Sequence, residues 1–277
     1  MFACNYPEQN NLADHVTQLS EEASVAVSSP VDTAGKTLAT RILPPTGYTR
    51  TELDSNSFGF YLRHLPLKPH GSPVYCFDGR EKLNQSVHAA VVDLDVGTRD
   101  LQQCADAVMR LRAEYLWQQE AYDQISFNFT NGFAAPYAPW RAGQRIRVSG
   151  NTVAWVNAGR ADGSYTAFRK YLDMVFAYAG TLSLAKELKS KPLSEIAIGD
   201  VFIQGGSPGH AVTVVDLAFE EGSGKTMVLL AQSYMPAQDI HILKNPGRTD
   251  PWYLIDEHVQ QIRTPEWTFS AQDLKAF

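Results

Sequence analysis

The stretch that most constrains this chain runs from Gly199 to Asp216 and reads GDVFIQGGSPGHAVTVVD. It predicts a short strand at Val201–Ile203, a tight loop of glycine, serine and proline, and a longer β-branched strand from Ala211. His210 stands where the loop enters this second strand. Because several cysteine hydrolases carry their general base at the mouth of a strand, His210 is the first candidate site residue.

The next apolar segment is predicted to pair with this strand as a hairpin. Ala211–Ala218 and Thr226–Ala231 flank a glycine-containing turn, and antiparallel pairing across it brings His210 opposite residues in the low 230s. Gln232 and Ser233 are therefore expected beside the imidazole, where the glutamine would fix its tautomer. The alternative is that His210 is a strand-edge histidine bonded to a loop carbonyl.

A thiol that could act with His210 lies in the first half of the chain. A helix is predicted from Leu101 to about Gln118, capped by Thr98 or Asp100. Cys104 then falls in or just past the first turn, where the helix dipole favours a thiolate. Cys104 also lies on the apolar stripe of that helix, so a buried structural cysteine is the alternative.

Three short segments carry a resemblance to known enzymes. Gly199–Ile203, Gly209–Val215 and the polar run Ala231–Tyr234 resemble the histidine strands of papain-like cell-wall peptidases and amidases of the NlpC and CHAP kind. The similarity covers roughly residues 165–235. Gln103–Cys104 is similar to the start of the CHAP helix, in which the glutamine helps to form an oxyanion hole. The resemblance implies a papain-like fold and a cysteine hydrolase.

This resemblance assigns catalytic roles to three residues. Cys104 would be the nucleophile, His210 the general base and acid, and Gln232 the residue that holds the imidazole. In NlpC-like enzymes the cysteine opens the helix just before the first of these strands. That position, counted back from Gly180, falls near Phe168–Arg169 and holds no cysteine. The chain departs from the pattern there, and Cys104 lies more than a hundred residues before His210.

Two functions are consistent with these features. The first is a cell-envelope hydrolase of peptide or amide bonds in the cell wall. The second, favoured by the empty position at Phe168, is a catalytically inactive module that binds a peptide or glycan, such as a peptidoglycan-like ligand, in the same cleft. A structural or intracellular role is a third interpretation. Polar side chains expected to contact the ligand are Arg169, which would bind a carboxylate, Gln204, Ser207 and Ser233.

Longer segments are similar to a second family. Asp100–Tyr115, Gly199–Asp216 and Leu229–Gln238 resemble the bacterial family called domain of unknown function 4846. This similarity extends over the whole folded length and implies no activity.

The predicted fold class is α+β, with a papain-like antiparallel sheet, packed helices and an N-terminal α+β extension. Residues 1–45 are rich in serine, alanine, threonine, glutamate and asparagine and are predicted to form a disordered tether. Residues 46–277 are predicted to form one domain, with an N-terminal lobe at 46–160 and a papain-like lobe at 161–277.

Charge and composition exclude several classes of protein. The net charge of −6 and the lack of a lysine and arginine block argue against nucleic acid as a partner. No apolar run approaches the roughly 18 residues of a transmembrane helix. His88 has the opposite strand parity to Asp93 and Asp95, so these three cannot form one metal site. We expect neither a metal nor a cofactor.

The N-terminus suggests a location. Met1-Phe-Ala-Cys4 is similar to the end of a bacterial lipobox, which implies lipidation of Cys4 and a membrane tether in the cell envelope or periplasm. The alternative is a disordered cytoplasmic start with a chance cysteine.

Overall fold

The structure of the protein, a computed structural model, describes residues 31–277. Its helices are α1 (Leu38–Arg41), α2 (Phe58–Arg63), α3 (Cys104–Gln118), α4 (Tyr137–Arg141), α5 (Tyr165–Tyr178) and α6 (Thr181–Glu187). Its strands are β1 (Thr49–Arg50), β2 (His88–Val91), β3 (Ser126–Asn128), β4 (Ala134–Pro136), β5 (Gln144–Ser149), β6 (Thr152–Asn157), β7 (Lys189–Ser190), β8 (Val201–Gln204), β9 (His210–Phe219), β10 (Thr226–Gln232), β11 (His241–Leu243), β12 (Tyr253–Ile255), β13 (Gln261–Arg263), β14 (Thr268–Ser270) and β15 (Leu274–Ala276). Short 3-10 helices lie at Gln85–Val87, Tyr122–Gln124, Leu193–Glu195 and Ala271–Asp273.

One antiparallel sheet organises the fold. Its strand order is β2-β11-β10-β9-β8-β15-β7, with β1 also paired to β9 and β12 to β10. The combination of helices with an antiparallel sheet confirms the predicted α+β class. The sheet joins β2, from the first half of the chain, to strands of the second half, so the boundary predicted between residues 160 and 161 does not divide it.

The hairpin predicted around His210 is present. β9 and β10 pair antiparallel with Ala231 opposite Thr213, and a register shift lies between Leu229 and Leu230. β8 pairs with the other edge of β9, with Gln204 opposite His210. The predicted strand–loop–strand unit therefore forms the centre of the sheet.

Both faces of β9 are covered, which explains its nearly continuous apolar sequence. Nine of its ten residues are buried, all but Phe219. Helix α3 packs on one face, where the buried contacts include Ala107, Leu111, Val215, Ala218 and Leu229. The C-terminal strands cover the other face, where the buried residues include Val212, Val214, Leu230, Phe269 and Leu274.

The segment between α3 and β8 forms a further cluster against α3. It contains β3 to β6 and α4 to α6, and its core includes Phe168, Tyr171 and Trp140. Phe168 is fully buried, as its position on the apolar stripe predicted. This segment accounts for the long sequence separation between Cys104 and His210.

The tether prediction is wrong for residues 31–45. Leu38 and Ile42 are fully buried, and Val31 pairs with Ile42 in a β-bridge. The Arg41 guanidinium is buried and donates to the carbonyl oxygen of Lys68 at 2.6 Å. Residues 1–30, which include the predicted lipidation site Cys4, lie outside the described part of the chain.

None of the helices between residues 31 and 277 has the length and apolarity that crossing a bilayer requires.

A buried carboxylate fastens the N-terminal elements to the central strand. Asp216 on β9 is fully buried and accepts hydrogen bonds from Arg50 Nε at 2.7 Å and Arg63 Nε at 2.6 Å.

We expect Asp216→Ala to lower the free energy of unfolding by about 3–5 kcal/mol, because it leaves two largely buried guanidinium groups without their partner. Urea denaturation would measure this change.

An exposed ion pair provides the control. Lys225 Nζ lies 3.8 Å from Glu220 Oε2, and both side chains are substantially exposed. Lys225→Ala should change the free energy of unfolding by less than about 1 kcal/mol. A loss in Asp216→Ala no larger than this would show that the buried carboxylate does not hold the N-terminal elements in place.

Candidate active site

A hydrogen-bond network fixes the state of the His210 ring. His210 Nε2 lies 2.8 Å from Gln232 Oε1, and Gln232 Nε2 donates to Glu266 Oε2 at 2.7 Å. Because an ionised carboxylate only accepts hydrogen bonds, Glu266 determines which end of the Gln232 amide is the nitrogen. Gln232 Oε1 must then accept from His210 Nε2–H. In the neutral ring, Nδ1 is therefore left unprotonated and able to accept a proton.

A second histidine agrees with this orientation. His241 Nδ1 lies 2.9 Å from the carbonyl oxygen of Asp239, so Nδ1 carries the hydrogen. Its Nε2 is then an acceptor and lies 3.3 Å from Gln232 Nε2. The ring is fully buried, and burial lowers the pKa of His241 to about 3. Gln232 thus uses both amide hydrogens and its oxygen in one consistent arrangement.

Aromatic rings enclose the His210 imidazole. Its centroid lies 5.0 Å from the Tyr234 ring, 5.3 Å from Trp267 and 5.9 Å from Phe269. This burial lowers the pKa of His210 to about 4, although the hydrogen bond to Gln232 and the charge of Glu266 oppose the shift. At neutral pH the ring is uncharged, the protonation state a general base requires.

Cys104 is the first residue of α3, and Gln103 is the N-cap. The helix begins three residues later than predicted, which places the thiol at the N-terminus itself. The pKa of the Cys104 thiol is raised to about 11, mainly by burial and to a smaller extent by the charge of Asp106. Backbone hydrogen bonds from Ala105 and Ala211 favour the thiolate. Since Ala211 follows His210 directly, the sulfur lies at the start of the histidine strand.

The segment before Cys104 is anchored to the end of β10. Ser233 Oγ lies 2.9 Å from the carbonyl oxygen of Gln102. Asp100 Oδ1 accepts from the backbone N–H of Ala237 at 2.7 Å and from Gln103 Nε2 at 3.0 Å. These contacts set the start of α3 against the strand that carries Gln232.

Cys104 and His210 line one cleft of about 700 Å³. The loop from Gly206 to Gly209 forms part of its wall and packs closely on α6. A Cβ on Gly209 would collide with Thr181 Oγ1 and would lie 2.7 Å from the carbonyl oxygen of Gly206, so this position requires glycine. Among the described residues, no hydrogen bond joins the sulfur to the His210 ring, whose hydrogen bond goes to Gln232.

This geometry can be compared with what is known of other proteins. The sequence profile of the family called domain of unknown function (4846) matches residues 38–276. The chain belongs to this family. Searches of curated proteins and of solved structures found no match. The range that matches the 4846 family contains the Cys104–His210 cleft, and it includes residues 38–45, which are packed here and not part of a tether.

The cleft of this 4846-family member contains only some of the predicted ligand-contacting residues. Ser207 lines it. Ser233 is fully buried and its hydroxyl bonds backbone carbonyl groups, so it anchors α3 and does not face a ligand. Gln204 donates to Asp273 Oδ2 at 2.7 Å and accepts from Trp267 Nε1 at 3.0 Å, so it supports the ring beside His210.

Arg169 does not line this cleft. It lies in a neighbouring cavity formed by the loop before α3 and by α5 from Tyr165 to Phe176. The prediction that it would contact a ligand in the same cleft as His210 is therefore wrong in its location.

Three residues of the site were not found in the sequence. Glu266 holds Gln232 and accepts from Lys82 Nζ at 2.6 Å, and Asp106 lies in the first turn of α3 beside the thiol. Glu266 and Lys82 are distant in sequence from His210 and belong to no motif. Asp106, two residues after Cys104, could have been found from its place in the helix. Among residues 31–277, no group of three histidine, cysteine or acidic side chains is arranged to hold a metal ion.

The buried carboxylate of Asp106 should control the reactivity of the thiol. Burial raises the pKa of the Asp106 carboxyl well above its usual value, but in the alkaline range where the thiol titrates its negative charge disfavours the thiolate. We therefore expect Asp106→Asn to lower the pKa of Cys104, since the variant removes this charge and keeps an acceptor for the Gln103 N–H. Iodoacetamide labelling of Cys104, followed by mass spectrometry across the alkaline pH range, should be about tenfold faster at a given pH. Asp123→Asn, at an exposed site outside the cleft, should leave the profile unchanged. Identical profiles for Asp106→Asn and the wild type would mean that burial alone raises the pKa of the Cys104 thiol.

The buried imidazole should make stability depend on pH. Because the pKa of His210 falls from 6.5 to about 4 on folding, the unfolded chain binds the proton more readily between these values. The free energy of unfolding should therefore fall as pH drops from 6.5 to 4, with His210 contributing up to about 3 kcal/mol. Denaturation curves for His210→Gln should lack this part of the slope. His258→Gln, at an exposed site, should retain it.

Proposed function

We propose that this protein is a cysteine hydrolase of peptide or amide bonds, with Cys104 as nucleophile and His210 as general base. The observation that carries the proposal is the orientation of Gln232 imposed by Glu266. It leaves His210 Nδ1 free to accept a proton in the cleft that contains the thiol.

The order of the elements supports a papain-like arrangement. A cysteine opens a helix that packs on the sheet, a histidine begins the central strand, and a polar residue ends the neighbouring strand. These are Cys104, His210 and Gln232. The helix is α3 and not α5, so the cysteine missing near Phe168 no longer argues against a catalytic site. The residues between α3 and β8 would be an insertion between the nucleophile and its base.

In the proposed reaction, Cys104 Sγ attacks the carbonyl carbon of the bond to be cleaved. His210 Nδ1 takes the thiol proton and then gives it to the leaving amine, so that a thioester forms on Cys104. Water, deprotonated by His210, hydrolyses the thioester and releases the acid, and His210 returns the proton to the Cys104 sulfur. The thiol and imidazole are not hydrogen-bonded in the unliganded structure, and we propose that substrate binding brings them together.

The start of α3 would stabilise the negative charge that develops on the substrate oxygen. The backbone N–H of Cys104 lies in the first turn, where helix amide groups lack acceptors within the helix. The Gln103 side chain lines the cleft and has a second amide hydrogen besides the one donated to Asp100. Both are candidate oxyanion donors, consistent with the resemblance to the CHAP enzymes.

The resemblance to cell-wall enzymes leads us to propose a peptide of the peptidoglycan type as substrate and the bacterial envelope as location, with a lipid on Cys4 as the anchor. A binding module for the same ligand is the second candidate. It is favoured by burial, which raises the pKa of the Cys104 thiol to about 11 and lowers the pKa of His210 to about 4, so that both groups are uncharged at neutral pH.

Activity and thiol labelling together distinguish the two candidates. In a Cys4→Ser, Cys76→Ser background, Cys104 should react with iodoacetamide at least about tenfold faster at neutral pH than in the same protein with His210→Gln. His88→Gln, a half-buried histidine outside the cleft, is the matched control and should label like the parent. Incubation with solubilised peptidoglycan fragments should release new amino groups, detected by mass spectrometry, and Cys104→Ala should abolish this release.

The opposite result is equally specific. Slow labelling that does not depend on His210, together with no hydrolysis but measurable binding of the fragments, would establish the binding module instead.

A further inference from the structure

A second cavity of about 400 Å³ adjoins the Cys104–His210 cleft. Its walls are the loop before α3 and one side of α5 from Tyr165 to Phe176, and two apolar residues, Leu101 and Phe176, line both cavities. Its volume lies at the lower end of the range found for small-ligand pockets. We call it the Arg169 cavity after the one basic side chain in it that is both partly buried and weakly paired.

Arg169 lacks the partner that a guanidinium in this position normally has. Its side chain is 18% exposed, and its nearest carboxylate oxygen, on Asp95, is 3.9 Å away on a side chain that is 80% exposed. Arg169 Nη1 is buried and has no hydrogen-bond partner. Loss of water and then the charge of Arg110 lower the pKa of Arg169, as expected for a cation without close compensation.

Further hydrogen-bond donors lie beside Arg169 in this cavity. Gln102 is 1% exposed and lines the cavity. Its side-chain oxygen accepts a hydrogen bond from Arg110 Nη1 at 2.6 Å, which fixes the orientation of the amide, and its Nε2 has no hydrogen-bond partner. Tyr165 and Thr166 lie in the first turn of the 14-residue helix α5, whose N-terminus carries partial positive charge. Donors without acceptors beside a helix N-terminus form a site for an anion.

The acidic groups nearby do not supply that anion. Glu114 is held by Arg110 Nε at 2.7 Å and by Tyr165 Oη at 2.7 Å. Asp95 and Asp173 line the cavity, but the Asp95 side chain is 80% exposed and its carboxylate lies 3.9 Å from Arg169, and the Asp173 carboxylate lies 3.7 Å from Arg99. The positive charge that remains without close compensation is the one on Arg169.

We propose that the Arg169 cavity binds a carboxylate of the peptide that occupies the neighbouring cleft, and that Arg169 is its anchor. The proposal rests on the proposed function for the identity of the ligand as a peptide, but it does not require hydrolysis. The carboxylate is either the C-terminus of the peptide or an acidic side chain. A planar guanidinium can form two parallel hydrogen bonds to either one.

Binding measured without catalysis tests this proposal. The probes are acetyl-trialanine with a free carboxylate, the same peptide as its carboxamide, and a carboxamide peptide with glutamate at the central position. Isothermal titration of the full chain carrying Cys104→Ala should show at least one carboxylate peptide binding about tenfold more tightly than the uncharged one. Which of the two is preferred identifies the source of the carboxylate. Arg169→Gln should remove the preference.

Arg99→Gln is the matched control, since it removes the same charge from a side chain that is 63% exposed at the rim of the same cavity. It should keep the preference. Equal binding of all three peptides, no binding at millimolar concentration, or an equal loss in Arg99→Gln would overturn the proposal. If Arg169→Gln does not fold, the Arg169 Nε–H resonance in the Cys104→Ala protein replaces it, and it should shift only with a carboxylate peptide.

The result does not depend on whether the thiol reacts. A protein that hydrolyses peptides without preferring a carboxylate retains the proposed function and loses this inference. A protein that prefers the carboxylate but never hydrolyses a peptide retains the inference and is a binding module.

Discussion

The hydrogen bond from Gln232 to Glu266 is the contact on which the chemistry of the site depends. It orients the amide, the amide fixes the hydrogen on His210 Nε2, and Nδ1 becomes the proton acceptor. His241 accepts the second amide hydrogen and so reinforces the same orientation. A residue more than fifty positions after the histidine, in the C-terminal segment, thus sets its tautomer. Because this network is buried, each unsatisfied member would be costly, which makes it rigid.

The same burial that orders the site also limits its reactivity. Burial keeps the His210 imidazole neutral and the Cys104 thiol protonated at neutral pH. The helix N-terminus and the backbone donors of Ala105 and Ala211 favour the thiolate, but burial and Asp106 outweigh them. A ligand that changes the burial of the thiol or the charge beside it would change the reactivity of the thiol. In this arrangement, activation would be a consequence of binding.

Charge around the site is arranged in two separate places. Acidic groups near the thiol and imidazole are Asp106 and Glu266, and the second of these is paired with Lys82. The adjoining Arg169 cavity contains two buried donor atoms without a hydrogen-bond partner, Arg169 Nη1 and Gln102 Nε2. If the proposed function holds, a peptide that spans both would place its scissile bond in the cleft and a carboxylate in this cavity.

The sequence by itself determined the local units. The β-branched runs and the turn between them specified the β9–β10 hairpin, and therefore the neighbourhood of His210 and Gln232, because antiparallel register follows from the turn. The apolar stripe of α5 placed Phe168 in the core. Tertiary structure alone decided that Cys104 and His210 line one cleft, that Ser233 supports α3, that Arg169 occupies its own cavity, and that Glu266 completes the hydrogen-bond network. These depend on packing between segments far apart in the chain, and no periodicity or spacing within one segment encodes such contacts.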